Sequence, residues 1–305
     1  MSNKYDWLKR NLEKLATFTP QLSQVSNIHY DAHAWTPLKL ITLAHWVDVY
    51  TKIISKHKEY GEDFWYIDLL AGPGTNFIKE ANTVIAGSPF IAYFCARTPF
   101  TKYIFIEYDS ERVKALEERI NLIEDLRMRA TTYRGDCNKI ISALNITAKH
   151  FLAFIDCEGL DVSWKTCEKL LTKRGDIIIV FQTQSLRRTL GRAKRNLSDK
   201  ERMNEFLGDT SWRNANNADE LLKLYMRKLK KYRNYVGYVR IRGRYMYDII
   251  LACKKGPYIH AWESLRKRYL KITDKDAELA LRILKGEVTT IDKFFTSYTT
   301  LNKWI

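Results

Sequence analysis

One stretch constrains this chain more than any other: Phe64-Trp65-Tyr66-Ile67-Asp68-Leu69-Leu70, followed at once by Ala71-Gly72-Pro73-Gly74. The first seven residues are mostly apolar, aromatic or β-branched, with the length and composition of a buried strand. The last four are small residues and turn formers. They let the backbone approach a ligand closely, and Gly72 and Gly74 can take dihedrals forbidden to other residues. In an open α/β sheet, nucleotide-like ligands sit outside the carboxyl ends of the strands, where the strand order reverses. The spacing here is G-x-G, without the third glycine of a dinucleotide fingerprint and without the Lys-Ser/Thr of a phosphate loop. A ligand with a carboxylate and an amine but no pyrophosphate suits it better. Asp68, Ala71, Gly72 and Gly74 are therefore candidate cofactor-binding residues, against the plainer reading of a tight strand-to-loop turn.

The rest of the chain supplies the sheet this reading needs. Further apolar runs follow at 103–106, 151–155 and 177–181, with helical periodicity between them. The clearest helix covers 111–129, with Val113, Leu116, Ile120, Ile123 and Leu126 on one face. Strands alternating with helices imply a parallel sheet covered on both faces. The alternation breaks after Phe181. Residues 187–233 are polar, basic and helical in pattern, and strands at 235–241 and 245–253 then form an antiparallel hairpin through Gly243. The expected fold is α/β: a Rossmann-like, mostly parallel seven-stranded sheet with an antiparallel terminal hairpin, the variant of the doubly wound fold shared by methyltransferases. The expected organisation is a helical N-terminal extension (1–60), the Rossmann domain (61–256, with 187–233 as a basic helical insertion) and a helical tail (257–305). Thr36-Pro37 starts a helix in the extension.

Three more carboxylates fall at strand ends. Glu107 ends the second main strand, where such folds grip ribose hydroxyls, although Asp109 and Ser110 would cap the following helix in any case. Gly135-Asp136-Cys137 follows the short strand at 131–133, and Asp136 can accept from an adenine amine, with turn chemistry as the rival account. Asp156 ends the run 151–155, where a substrate-facing residue belongs, and is the candidate catalytic residue. No Pro-Pro-aromatic follows it, so methylation of an exocyclic base amine is not supported.

Charge points to the partner. The 305 residues carry 51 Lys and Arg against 35 Asp and Glu, a net +16, a field that attracts polyanions such as RNA or DNA. Arg187, Arg188, Arg192, Lys194 and Arg195 follow the 177–181 strand directly, on the edge where substrate would enter. A second cluster, from Lys223 to Arg233, interleaves cations with Tyr225 and Tyr232, which can stack bases. The bland alternative is a solvated face. Five scattered cysteines without a C-x-x-C pair argue against disulfides and zinc and suit a reducing cytoplasm. No run approaches about 20 apolar residues, so no membrane span is expected. His29 and His33 beside Asp31 have the spacing of two metal ligands on a helix, but no third ligand is in view, and the expectation is no metal.

Taken in order, these motifs resemble the three-Cys-motif partner proteins. The resemblance rests on Trp35-Thr36-Pro37-Leu38-Lys39-Leu40, the segment from Tyr66 to Gly74, Gly87-Ser88-Pro89, Ile106-Glu107, Gly135-Asp136-Cys137-Asn138, Ala153-Phe154-Ile155-Asp156 and Tyr247-Asp248-Ile249-Ile250-Leu251-Ala252. It covers roughly residues 30–255. It departs from that family's pattern at Asp156-Cys157, where the family has Asp-Pro. The resemblance implies a methyltransferase-like fold, S-adenosylmethionine as cofactor, and a neighbouring protein with three cysteines as a possible partner. Three functions follow in order: a nucleic-acid methyltransferase, a non-catalytic nucleic-acid-binding protein on the same fold, and a ribose-methylating enzyme using Lys39 with Asp156.

Overall fold

The computed structural model describes residues 4–157 and 159–287. Among the described residues there are ten strands: β1 (Tyr30–Ala32), β2 (Phe64–Asp68), β3 (Thr75–Ile78), β4 (Thr83–Ala86), β5 (Lys102–Glu107), β6 (Ala130–Arg134), β7 (His150–Ile155), β8 (Gly175–Phe181), β9 (Tyr235–Ile241) and β10 (Tyr247–Cys253). Seven of them form the main sheet, in the order β6-β5-β2-β7-β8-β10-β9. The five strands from β6 to β8 are parallel; β10 runs antiparallel to β8 and to β9. This is the Rossmann-like methyltransferase fold. The order reverses between β2 and β7, so the crevice of a doubly wound sheet must open where those two strands end.

Burial explains the sheet. Every residue of β2, β8 and β10 is buried, which is why these strands read as apolar runs without alternation. Each face carries its own core. One contains Tyr66, Phe105, Phe154 and Val180 with the helix Thr36–Ile54. The other contains Ile67, Ile106, Ile155 and Ile179 with the helices Trp164–Leu171 and Ala218–Leu229. The alternation of side chains along each strand sends neighbours to opposite cores.

Two local expectations change. The pattern at 111–129 is two helices, Ser110–Asn121 and Glu124–Arg129. The break at Leu122-Ile123 lets the second helix turn into β6. The N-terminal region is not wholly helical, because β1 pairs with β3 and β3 with β4 in a small separate sheet. Those short strands lack a long apolar run and so leave little trace in the sequence. The helices Ile259–Tyr269 and Asp274–Leu284 pack into the first core with Leu8, Leu12 and Trp46. The remainder of the expected helical tail, from 288 onward, lies outside the described residues, as does Glu158.

Candidate active site

At the crevice lies a cavity of about 430 Å³, within the range of small-molecule sites. Its walls come from the turn after β2, from β3, from the ends of β5, β6 and β7, and from Tyr30 and Lys39 of the N-terminal region. Of the residues singled out in the sequence, Ala71, Gly72, Gly74, Glu107, Asp136, Cys137 and Asp156 all line it.

The glycines are there for steric reasons. Gly74 has φ +87°, and a Cβ on it would stand 2.4 Å from the Phe90 ring. Gly87 packs so closely on Gly74 that a Cβ would meet its carbonyl carbon at 2.8 Å, and the Gly87 N–H donates to the Gly74 carbonyl at 2.7 Å. Gly72, with φ +63°, faces open space. A side chain there would be strained and would project where a ligand has room.

Glu107 is buried, and both its oxygens are engaged. The Gly72 N–H donates to Oε2 and the Asp109 N–H to Oε1, each at 2.9 Å. A carboxylate oxygen has a second lone pair, so this side chain can fix the glycine turn and still accept from vicinal hydroxyls. Asp136 caps the helix Cys137–Ala143 through Oδ1, which accepts from the Asn138 N–H at 2.8 Å. Capping and cavity lining are both true of it.

Asp68 is different. Its carboxylate is fully buried and does not line the cavity. It accepts from Tyr66 Oη at 3.1 Å and from the Leu70 N–H at 3.4 Å, and it is bonded to Ser88. Direct ligand contact is therefore corrected to a role behind the turn, because the strand end turns the side chain into the first core. Burial pushes its carboxyl up to about 7, against the opposing pull of those hydrogen bonds.

Asp156 and Lys39 meet at the cavity wall. Lys39 Nζ lies 2.5 Å from Asp156 Oδ2, and both side chains are mostly buried. The other oxygen, Oδ1, is buried without a hydrogen-bond partner. A buried unpaired acceptor costs about 1–3 kcal/mol, and Oδ1 is the one buried carboxylate oxygen without a partner among the described residues. Cys157 beside it is buried, and burial pushes its thiol well above the ordinary range. It is a packing residue, with no thiolate character.

Three contributors escaped the sequence reading. Arg112 lines the cavity and lies 4.7 Å from the Tyr30 ring centroid. Its position in the first turn after the Asp109 cap was the available signal. Asp161 also lines the cavity. Arg119 is fully buried and donates to Leu22 O (2.8 Å), Ser26 O (2.7 Å) and Pro73 O (2.6 Å), tying the N-terminal segment to the glycine turn. Burial lowers its guanidinium to about 10. Nothing in a helix repeat distinguishes such an arginine from a surface one.

Among the described residues, the cavity is thus lined by four carboxylates (Glu107, Asp136, Asp156, Asp161) and two cations (Lys39, Arg112). The predicted basic residues lie elsewhere. Arg187, Arg188 and Arg192 sit on the helix Thr183–Ala193, with Lys194 and Arg195 just beyond it, and all five are exposed and outside the cavity lining. Arg192 pairs with Asp199 at 2.8 Å; the other four have no ion pair among the described residues. The expected base-stacking tyrosines are corrected. Tyr225 is core, stacked on Phe206 at 5.2 Å, because it falls on the buried stripe of its helix. Tyr232 donates to Glu168 Oε1 at 2.6 Å. His29 and His33 lie outside any helix and bond to Thr75 and Glu80, and no group of metal ligands occurs among the described residues. Among the described residues, no helix is long and apolar enough to cross a membrane.

No protein-family model matches the chain, and none of the curated proteins does. Solved structures do resemble it. A methyltransferase from Geobacter sulfurreducens matches at 12% identity over 79% of this chain and 88% of its own, with a TM-score of 0.40. The methyltransferase domain of bacterial CtHen1 matches at 11% over 72% and 100%, TM-score 0.40. Cofactor-bound Rv0187 from MTB matches at 10% over 70% and 81%, TM-score 0.41. The strand order, rather than these overlays, carries the fold.

Proposed function

We propose that the chain is an S-adenosylmethionine-dependent methyltransferase that acts on RNA or DNA. The observation that carries this reading is the unpartnered Asp156 Oδ1 in a carboxylate-lined cavity at the switch point of the sheet. The cavity's carboxylate excess suits a ligand that bears both an ammonium and a sulfonium. Gly72 leaves room for it, Glu107 accepts from its ribose hydroxyls, and Asp136 with Cys137 borders its adenine. When bound, the cofactor supplies an electrophilic methyl group.

The chain's own part is positioning. An acceptor O–H or N–H donates to Asp156 Oδ1, which aims the acceptor lone pair. Asp156 would take up the proton the acceptor loses on methylation, the cofactor's sulfonium having become a neutral thioether as the methyl left. Lys39 holds Oδ2 and fixes the carboxylate plane. Alignment of this kind supplies most of the rate for a displacement that needs little covalent help from the protein. The ordered motifs from Trp35 to Ala252 also favour a place among the three-Cys-motif partner proteins, with a cysteine-bearing protein as companion.

The test is calorimetry with S-adenosylmethionine and S-adenosylhomocysteine, followed by transfer of labelled methyl to cellular RNA and DNA. Micromolar binding, and label incorporated by wild type but not by Asp156→Asn, is the expected result. A folded protein that binds neither ligand refutes the cofactor assignment. Binding without transfer leaves a non-catalytic nucleic-acid-binding protein.

A further inference from the structure

Three aromatic rings form a column at the start of the helix that carries the cavity-lining Lys39. The His33 and Trp35 ring centroids are 4.4 Å apart with planes 25° apart, and Trp35 and Tyr245 are 5.3 Å and 24° apart. His33 and Tyr245 make no ring contact with each other, so Trp35 is the middle ring. The column joins two distant parts of the chain: His33 and Trp35 precede the helix Thr36–Ile54, and Tyr245 lies at the tip of the β9–β10 hairpin.

The column is held in place on several sides. Tyr247 Oη donates to the Trp35 carbonyl at 2.6 Å. Glu80 holds His33 Nδ1 at 2.9 Å and accepts from the Ala34 N–H at 3.0 Å. The rings themselves are only half-buried, and the His33 side chain is 45% exposed. A fixed column of half-buried rings ending in the exposed His33 is suited to take one more flat ring at that end.

Its surroundings say which ring. Lys39, the partner of Asp156, lies one helical turn beyond Trp35. Met246, next to Tyr245, is bonded twice to Gln184: the Gln184 N–H donates to Met246 O at 3.0 Å, and the Met246 N–H donates to Gln184 Oε1 at 2.8 Å. Gln184 opens the helix that carries the exposed Arg187 and Arg188 a turn later. Arg242, in the same hairpin turn, is exposed and has no ion pair among the described residues. The rings are thus linked to Lys39 and Asp156 through one helix, and to exposed cations through the hairpin tip and the helix that Gln184 opens.

We propose that this column is a stacking platform for an unpaired nucleobase, so that the nucleic acid entering this site is single-stranded there. The proposal rests on the nucleic-acid reading above and narrows it. Bases within a duplex keep their faces covered by their neighbours, whereas an unpaired base offers a face to an aromatic side chain.

The experiment is fluorescence anisotropy at fixed salt. The probes are a single-stranded RNA and a single-stranded DNA of about twelve nucleotides, within the span of such sites, and the duplexes of the same sequence. Wild type is expected to bind a single strand at least about tenfold tighter than its duplex. Tyr245→Leu and His33→Ala should each weaken single-strand binding about fivefold or more, with little effect on the duplex. Tyr245→Phe should restore it. The tighter of the two single strands identifies the sugar. S-adenosylmethionine titrations run in parallel and should be unchanged in all three variants. Failure of cofactor binding in wild type would count against the methyltransferase reading and leave the platform to be judged by the oligonucleotides. Equal or tighter binding of duplex, or single-strand binding unchanged in both ring variants, overturns the platform.

Discussion

The cavity and the basic helical region after β8 both carry dense charge, but they hold it differently. In the cavity, charge is fixed. Glu107 is pinned by two backbone N–H groups, Asp136 by its helix, and Asp156 by Lys39. In the region 183–233, charge divides. Some cations serve the fold: Arg233 donates to the carbonyls of Gly175, Leu171 and Lys173, Lys228 bonds to Asp209, and Arg192 to Asp199. Others, such as Arg187, Arg188, Lys194, Arg195, Lys223 and Arg227, stand exposed. Fixed buried charge specifies geometry, while exposed charge supplies a field that salt screens. Removing one member of the first kind should change chemistry or geometry. Removing one of the second should change only affinity and its dependence on salt.

The largest effect is expected at Asp156. Asp156→Asn keeps the shape but loses the proton acceptor, and the methyl-transfer rate should fall about 10²–10⁴-fold. Cofactor affinity should hold within about twofold. An unchanged rate would show that the cavity's charge does not act on the acceptor and would dissolve the contrast. Next comes Glu107→Gln. It leaves one of two backbone donors facing an amide nitrogen and removes the charge, so cofactor affinity by calorimetry should weaken about 10–100-fold, or about 1.5–3 kcal/mol. The same substitution at an exposed glutamate such as Glu62 should do nothing measurable.

Buried charge should also show itself in stability against pH. The Asp68 carboxyl is raised to about 7 in the folded chain, above the ordinary value near 4 in the unfolded one. The unfolded state therefore loses this proton first. The contribution is fully present below about pH 4 and is lost as pH rises to about 7, at up to about 1.4 kcal/mol per pH unit. His150, lowered to about 4 by burial, works in the opposite sense, because below about pH 6.5 the unfolded chain takes up a proton there that the folded chain does not, so its stability falls with pH. The measurement is thus a difference: denaturation of wild type and of Asp68→Asn between pH 4.5 and 7.5. The advantage of wild type over the variant should shrink steadily as pH rises. A difference flat with pH would mean that Asp68 does not titrate in this window.

The same contrast governs what the sequence could reveal. The sheet was legible because β2, β7, β8 and β10 are buried on both faces, and burial there requires uninterrupted apolar runs. The carboxylates at strand ends were legible for a related reason: the fold fixes where a strand ends, and hence where Glu107, Asp136 and Asp156 must lie. What stayed hidden depends on contacts between distant segments. Arg119, in the middle of a helix, meets Leu22, Ser26 and Pro73. Tyr225 and Tyr232 read as exposed because the stretch from Lys223 to Arg233 is so basic. A helix of lysines still has a buried stripe, and Tyr225 lies on it. Charge composition reports on the solvent face of an element, and a tyrosine between two lysines can belong to either face.

The smallest effects belong to the exposed arginines, and they decide whether that field has a direction. Arg187 and Arg188 have no ion pair among the described residues and follow the Gln184–Met246 junction by one turn. Arg227 is exposed on another helix, Ala218–Leu229. If nucleic acid approaches along this helix and the hairpin tip, Arg187→Ala and Arg188→Ala should each weaken oligonucleotide binding about three- to tenfold. Each should also reduce the slope of log affinity against log salt by about 0.7–0.9, the signature of one lost phosphate contact. Arg227→Ala should leave the slope unchanged, and none of the three should alter cofactor affinity or thermal stability. Equal losses at all three positions would mean that the protein attracts polyanions by net charge alone. The basic region would then lack a track, and the division between charge that specifies and charge that attracts would stop at the cavity wall.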